Sequence, residues 1–209
     1  MIEDSGCPCE LVPANLEIEA ECRYVVATCE SRFGEVHGLV NAAGLTTRGF
    51  LEDTSVELWD LLFAVNVRAP FILTQEVVRL MKHKKNRGSI VNIATFSSYG
   101  GQPYLTAYCA SKGALVTFTK NIAHSLRHDL IRVNALNIGW MDTPNEDIVQ
   151  RTMGAPNNWL EMAEAGLPFG RLPKPIEVAK LTAYLLSDEA EMMTGSIIDF
   201  DQNIMGAYG

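Results

Sequence analysis

A tyrosine and a lysine stand four positions apart at Tyr108 and Lys112. On a helix that spacing puts both side chains on one face. An ammonium beside a phenol favours the phenolate and lowers the phenol's pKa from its reference of about 10. A tyrosine tuned in this way gives or takes a proton near neutral pH. Thr95 lies upstream, just past the apolar run Ser89-Ile90-Val91-Asn92-Ile93-Ala94. Its hydroxyl can hydrogen-bond the same substrate oxygen. The three groups suit the interconversion of a carbinol and a carbonyl. That step needs a hydride carrier, and no side chain is one, so a cofactor is implied.

The segments around these residues alternate between strand and helix patterns. Glu10–Pro13 reads as a short strand end. A 3.6-residue apolar period (Ile18, Cys22, Val25, Val26, Cys29, Phe33) predicts a helix from Asn15, as its cap, to about Phe33, with Gly34 as the stop. Val36–Val40 reads as a strand. Helices follow over Thr54–Phe63 and Asn66–His83, then a strand over Ser89–Ala94 and a helix over Thr106–His128. Ile131–Leu136 is a further strand. Residues 139–174 form a long connection with four prolines, of a length that usually carries function. A helix over Pro175–Leu186 and a strand over Ile197–Phe200 complete the pattern. Strands alternating with long helices imply a parallel sheet covered on both faces, in an α/β Rossmann-like fold. In such sheets ligands bind beyond the carboxyl ends of the strands, where Thr95 falls.

The chain has 209 residues, 17 basic against 25 acidic side chains, and a net charge of -8. That length and its 47% apolar content suit one domain spanning residues 1–209, with no need of disulfides or metals. The acidic balance repels phosphate backbones, so no nucleic-acid partner is expected. No apolar run approaches the roughly 20 residues that cross a bilayer, so no membrane partner is expected. The five cysteines are odd in number and include no Cys-x-x-Cys pair. They read as small buried hydrophobes in a reducing cytoplasm, with no metal site.

Further groups fall into place around the Tyr108–Lys112 pair. Asn41-Ala42-Ala43-Gly44 follows a strand, Asn66 opens a helix, and Asn92 precedes Thr95. Ile131-Arg132-Val133-Asn134 leads to Ile138-Gly139 and Thr143. Gly170-Arg171, Pro175, Glu177-Val178-Ala179, Thr194-Gly195 and Asp201 follow in order. From about Glu10 to Asp201 the chain resembles the short-chain dehydrogenase/reductase family of nicotinamide-dependent oxidoreductases. The resemblance implies that Tyr108 is the catalytic acid/base and that Lys112 tunes it and holds the nicotinamide ribose. It implies that Thr95 stands where the family usually has serine, and that Asn66 anchors a water in the proton relay. Asn41, Ala42, Ala43 and Gly44 match the segment against the adenosine side of an NAD or NADP cofactor. Asn15 sits where an aspartate often lies near the adenine. Ile138, Gly139 and Thr143 match the segment at the nicotinamide carboxamide. Taken as residues alone, Thr95 is also strand-end packing, Asn66 and Asn15 are helix caps, and Thr143 is a turn residue.

One family feature is missing. The glycine-rich turn that brings backbone N–H groups to the cofactor pyrophosphate is absent, for Gly6, Gly34 and Gly38 are the only glycines before residue 40. The chain is expected to lack the first strands of the family fold and to be a truncated, partial domain. Val36–Val40 is then an unpaired apolar edge, and Glu10–Pro13 lies away from the sheet. Two functions follow. The first is an alcohol/ketone oxidoreductase. The second is a catalytically inactive remnant that acts through subunit association. The connection after Gly139 is expected to cover the substrate. Its Trp140, Asp142, Glu146 and Trp159 suit a sugar or polyol, with Ser97 nearby. By the resemblance the protein is a homo-oligomer, a dimer or tetramer, joined through its two long helices and last strand.

Overall fold

The computed structural model describes residues 6–205. Its elements run in the order α1 (Glu19–Phe33), β1 (Gly38–Asn41), α2 (Val56–Phe63), a π-helical turn (Ala64–Arg68), α3 (Ala69–Lys84), β2 (Gly88–Thr95), α4 (Thr106–Leu126), β3 (Ile131–Ile138), α5 (Pro144–Thr152), α6 (Trp159–Ala165), α7 (Pro175–Leu186) and β4 (Ile197–Phe200). The four strands form one parallel sheet in the order β1-β2-β3-β4. The expected α/β architecture is therefore present.

Alternation along the central strands builds two cores. Ile90, Ile131 and Val133 face α1, α3 and α4, where they meet Cys22, Val26, Ile72, Val77, Met81 and Ala123. Val91 and Leu136 point to the opposite face, against Val178 and Leu185 of α7. Successive strand residues point to opposite faces, so central strands covered on both sides must be apolar throughout. The buried stripe of α4 is Ala107, Ser111, Lys112, Leu115, Thr119, Ala123 and Leu126, near the 3.6-residue period.

Several expectations are corrected. Glu10–Pro13 forms no strand. The first helix begins at Glu19, because Asn15 closes a turn: its carbonyl accepts from Ile18 N–H, and its Oδ1 accepts from Glu17 N–H at 3.0 Å. The two helices expected over Thr54–Phe63 and Asn66–His83 are one continuous run, Val56–Lys84, joined by the π-helical turn. By length and composition that run could cross a membrane, contrary to the expectation of no such segment. Leu62, Ala69, Ile72, Leu73, Val77, Leu80 and Met81 are buried within the protein, which is how a core helix comes by its apolar content. As expected, β1 lies at the sheet edge, and Val40 is 39% exposed.

Candidate active site

Parallel strands bring their carboxyl ends to one side. Asn41, Thr95, Ile138 and Gly139 all lie at that side, with Thr95 paired to Ile138 across the sheet. Helix α4 begins just beyond it. A short bridge between Gly49 and Leu105 ties the loop after β1 to the segment that launches α4, through Gly49 N–H on Tyr104 O at 3.0 Å and Thr106 N–H on Gly49 O at 3.2 Å.

Tyr108 and Lys112 share one side of α4. The lysine Nζ lies 5.9 Å from the centre of the Tyr108 ring. It also donates to the Ile93 carbonyl at 2.8 Å, which anchors the side chain to β2. Thr95 hydrogen-bonds the Tyr108 side chain. Its Oγ1 accepts in turn from Ser97 N–H at 3.3 Å. Thr95 and Lys112 thus converge on the side chain of Tyr108.

The charge balance differs from the expectation. Burial pushes the Tyr108 phenol up to about 12. The Thr95 hydrogen bond pulls the other way, and the Cys109 thiol and Glu146 carboxylate add to the rise. Lys112 is itself pulled down by burial, to about 8. Burial outweighs the other causes, so the phenol ends above its ordinary value rather than below it. The ammonium sits over the ring and bonds a carbonyl, while desolvation, the larger effect, acts on both groups.

Asn66 is fully buried in the π-helical turn. It grips the Leu45 backbone from both sides, with Oδ1 accepting from Leu45 N–H at 2.8 Å and Nδ2 donating to Leu45 O at 2.9 Å. The same Nδ2 donates to Ser111 Oγ at 3.0 Å, and Ser111 Oγ donates to the Tyr108 carbonyl at 2.8 Å. Asn66 is thus neither a first-turn cap nor idle. It locks the loop after Gly44 to the helix that carries Tyr108. Sequence reasoning does not single out Ser111, whose only signal there is its place three residues after Tyr108. A π-helical turn inserted in a long helix is itself often found at functional sites.

Ala42, Ala43 and Gly44 are exposed at the β1 end. A side chain at Gly44 would approach Asn66 Oδ1 and Lys112 Nζ to 3.3 Å, so glycine keeps this corner open. Asn41 points away, into the core. Its Nδ2 donates to Asn92 Oδ1 at 2.8 Å, and Asn92 Nδ2 donates to Thr119 Oγ1 at 2.9 Å. Its role here is to tie β1, β2 and α4 together. Asn15 is exposed in its turn. Gly139 is packed so closely on Asp201 that a Cβ would lie 2.3 Å from that carboxylate. Thr143 caps α5, accepting from Glu146 N–H at 3.0 Å.

Over this end lie α5 and α6. Trp140 and Trp159 have ring centres 5.8 Å apart. Each indole is paired within the lid: Trp140 Nε1 donates to Glu146 Oε1 at 2.8 Å, and Trp159 Nε1 to Asp147 Oδ1 at 2.8 Å. Trp159 is buried, while Trp140 is 45% exposed. Asp142 is fixed by its own N–H on the Pro173 carbonyl. Ser97 is buried and donates to Gln102 Oε1 at 2.5 Å.

The donor set fits the nicotinamide-ribose half of a dinucleotide. An ammonium has three N–H donors, of which Lys112 commits one to Ile93, leaving two for ribose hydroxyls beside the open Gly44 corner. A turn able to cradle the pyrophosphate is absent among the described residues, since Gly34 ends α1 and Gly38 lies within β1.

The family profile described as enoyl-(acyl carrier protein) reductase matches residues 2–202. The 3-oxoacyl-[acyl-carrier-protein] reductase FabG of Thermotoga maritima is 35% identical over 205 residues, spanning 97% of this chain and 80% of that relative. An NAD+-bound xylitol dehydrogenase superposes with a TM-score of 0.85 at 25% identity, over 95% of this chain and 80% of its own. A tryptophan-substituted form of actinorhodin polyketide ketoreductase, solved with NADPH, gives 0.83 at 30% identity, over 89% of this chain and 74% of its own.

Proposed function

The chain belongs to the short-chain dehydrogenase/reductase family of NAD(P)-dependent oxidoreductases, and from that premise we propose that it interconverts a secondary alcohol and a ketone through Tyr108. The observation that carries the proposal is the convergence of Thr95 and Lys112 on the side chain of Tyr108 at the carboxyl ends of the strands. When bound, NAD or NADP supplies or accepts the hydride. In ketone reduction the Tyr108 hydroxyl donates its proton to the substrate oxygen. In alcohol oxidation Tyr108 takes that proton back. Thr95 orients the substrate oxygen with its hydroxyl. Lys112 stabilises the negative charge left on the phenol and holds the ribose hydroxyls. Asn66 positions the loop at Gly44 and the helix of Tyr108, and in this reading it also holds the relay water.

The pH dependence follows with a definite sign. Ketone reduction uses the protonated phenol, present at every pH below about 12. It also uses the Lys112 ammonium, present below about 8. We expect kcat/KM for reduction to be level through neutral pH and to fall as pH rises past about 8. Alcohol oxidation uses the phenolate together with the same ammonium, so its rate is expected to climb with pH up to about 8 and to level off above it. Steady-state rates in both directions test this. A reduction rate that stays flat well above the Lys112 value would contradict it.

The finer substrate class proposed is a polyol or sugar. The half-exposed Trp140 face, the Asp142 carboxylate and the Glu146 oxygen not engaged by Trp140 lie in the lid, and a structural neighbour is a xylitol dehydrogenase. A panel of polyols against long-chain acyl ketones decides the point. Turnover of polyols is the expected result, and a preference for the acyl ketones would replace this class. We further place the protein in the cytoplasm as a homo-oligomer joined through α3 and α4. Phe71, 45% exposed on α3, meets Phe118 of α4 edge-to-face with ring centres 6.2 Å apart, which leaves an aromatic surface for a second copy.

A further inference from the structure

The opposite end of the sheet carries a second feature. A cavity of about 630 Å³ opens where β2 and β3 begin, lined by Gly88, Ser89 and Ile131. Thr95 and Ile138, at the candidate active site, lie seven residues further along the same strands, about 23 Å away at roughly 3.3 Å per residue. The two places are therefore separate.

The charged lining of this cavity is unusual for a chain with a net charge of -8. Lys85, Arg87, Arg127 and Arg132 all border it, facing Asp188 and Glu191. Arg132 is a fixed cation, with its guanidinium held by the carbonyls of Leu185 at 2.7 Å and Ser187 at 2.9 Å. Burial disfavours its charge most. Asp188 and Glu191 resist that, and the like charge of Arg87 adds to it. The other nearby acids are committed elsewhere: Asp129 pairs with Lys82 at 2.6 Å, and Glu35 meets Asn86 and His37. Among the described residues Lys85 and Arg87 form no ion pair. They stand on the turn that closes α3, where Lys85 holds a left-handed backbone at φ 59°. Holding like charges around one concavity costs free energy that a bound anion recovers.

We propose that this cavity is a second binding site, for a small molecule bearing several phosphate groups, held by Lys85, Arg87 and Arg127 around the fixed Arg132. Guanidinium groups recognise phosphate through paired hydrogen bonds, and the volume admits a ligand of nucleotide size. The site is independent of the chemistry at Tyr108.

The test is isothermal titration of the full chain with inorganic tripolyphosphate at fixed ionic strength. The expected result is saturable binding of one molecule per chain. The double substitution Lys85→Glu with Arg87→Glu is expected to weaken it by at least about tenfold. Both side chains are exposed, so the fold is not at stake. Lys120→Glu, half that charge change elsewhere on the surface, and Lys112→Met, at the candidate active site, are expected to leave binding unchanged. Repeating the titration with a nucleoside triphosphate shows whether the nucleoside adds affinity to the shared phosphate chemistry. Absence of saturable tripolyphosphate binding overturns the proposal. An equal loss in Lys120→Glu does so too, by showing a diffuse charge effect, and a loss in Lys112→Met does so by placing the ligand at the other site.

Discussion

Replacing Tyr108 by phenylalanine is expected to lower kcat by about a thousandfold in both directions, with the protein still folded. The phenolic oxygen is the part of Tyr108 on which Thr95 acts. Phenylalanine keeps the ring, its burial and its contact with the Lys112 ammonium, and removes only the proton donor. The lost hydrogen bond to Thr95 costs about 1 kcal/mol, too little to unfold a domain of this size. Nicotinamide absorbance gives the rates, and thermal melting gives the fold. A variant that melts as the parent does and has lost its turnover supports the assignment. Unchanged turnover would remove Tyr108 from the chemistry, and a parent chain that turns over no alcohol or ketone would leave the inactive-remnant reading standing.

Lys112→Met is expected to lower kcat/KM by about a hundredfold and to raise the KM for the cofactor. The side chain is buried, yet its pKa of about 8 leaves it mostly charged at neutral pH. Methionine fills similar space without the charge. Two effects on stability then oppose. The Ile93 carbonyl loses its donor, at about 1–3 kcal/mol, while removal of a buried charge offsets part of that cost. The rise in cofactor KM separates a ribose-holding role from simple packing, since a packing defect has no reason to act on the cofactor alone. Kinetics with both substrates varied give the two constants. Equal cofactor KM in parent and variant would contradict the ribose role.

The strand–helix alternation was legible because the central strands are buried on both faces and must be apolar throughout. Ile90, Val91, Val133 and Leu136 carry that signal in a few residues. The shared face of Tyr108 and Lys112 was legible from spacing alone, because helix geometry fixes it. The continuity of Val56–Lys84 was not. The π-helical turn adds a residue and breaks the 3.6-residue period at Asn66, so one helix reads as two. The start of α1 was misplaced because Asn15 serves a turn with the same side-chain chemistry that serves a cap. The phenol's acidity was also illegible. Spacing shows that a lysine is near, while the extent of burial depends on everything packed around the pair. The lid has the same lesson. Trp140, Glu146 and Trp159 read as groups offered to a substrate, yet each indole bonds a lid carboxylate.

The central claim is that Tyr108 moves a proton while a hydride passes between the carbinol carbon and a nicotinamide. Incubation of the chain with oxidised nicotinamide dinucleotide and a secondary alcohol deuterated at its carbinol carbon tests it most directly. The account predicts that mass spectrometry finds the deuterium on the nicotinamide ring of the parent's product, and about a thousandfold less there in the same time with Tyr108→Phe. Deuterium released to water, or kept in the alcohol beside a parent chain saturated with cofactor, would contradict it.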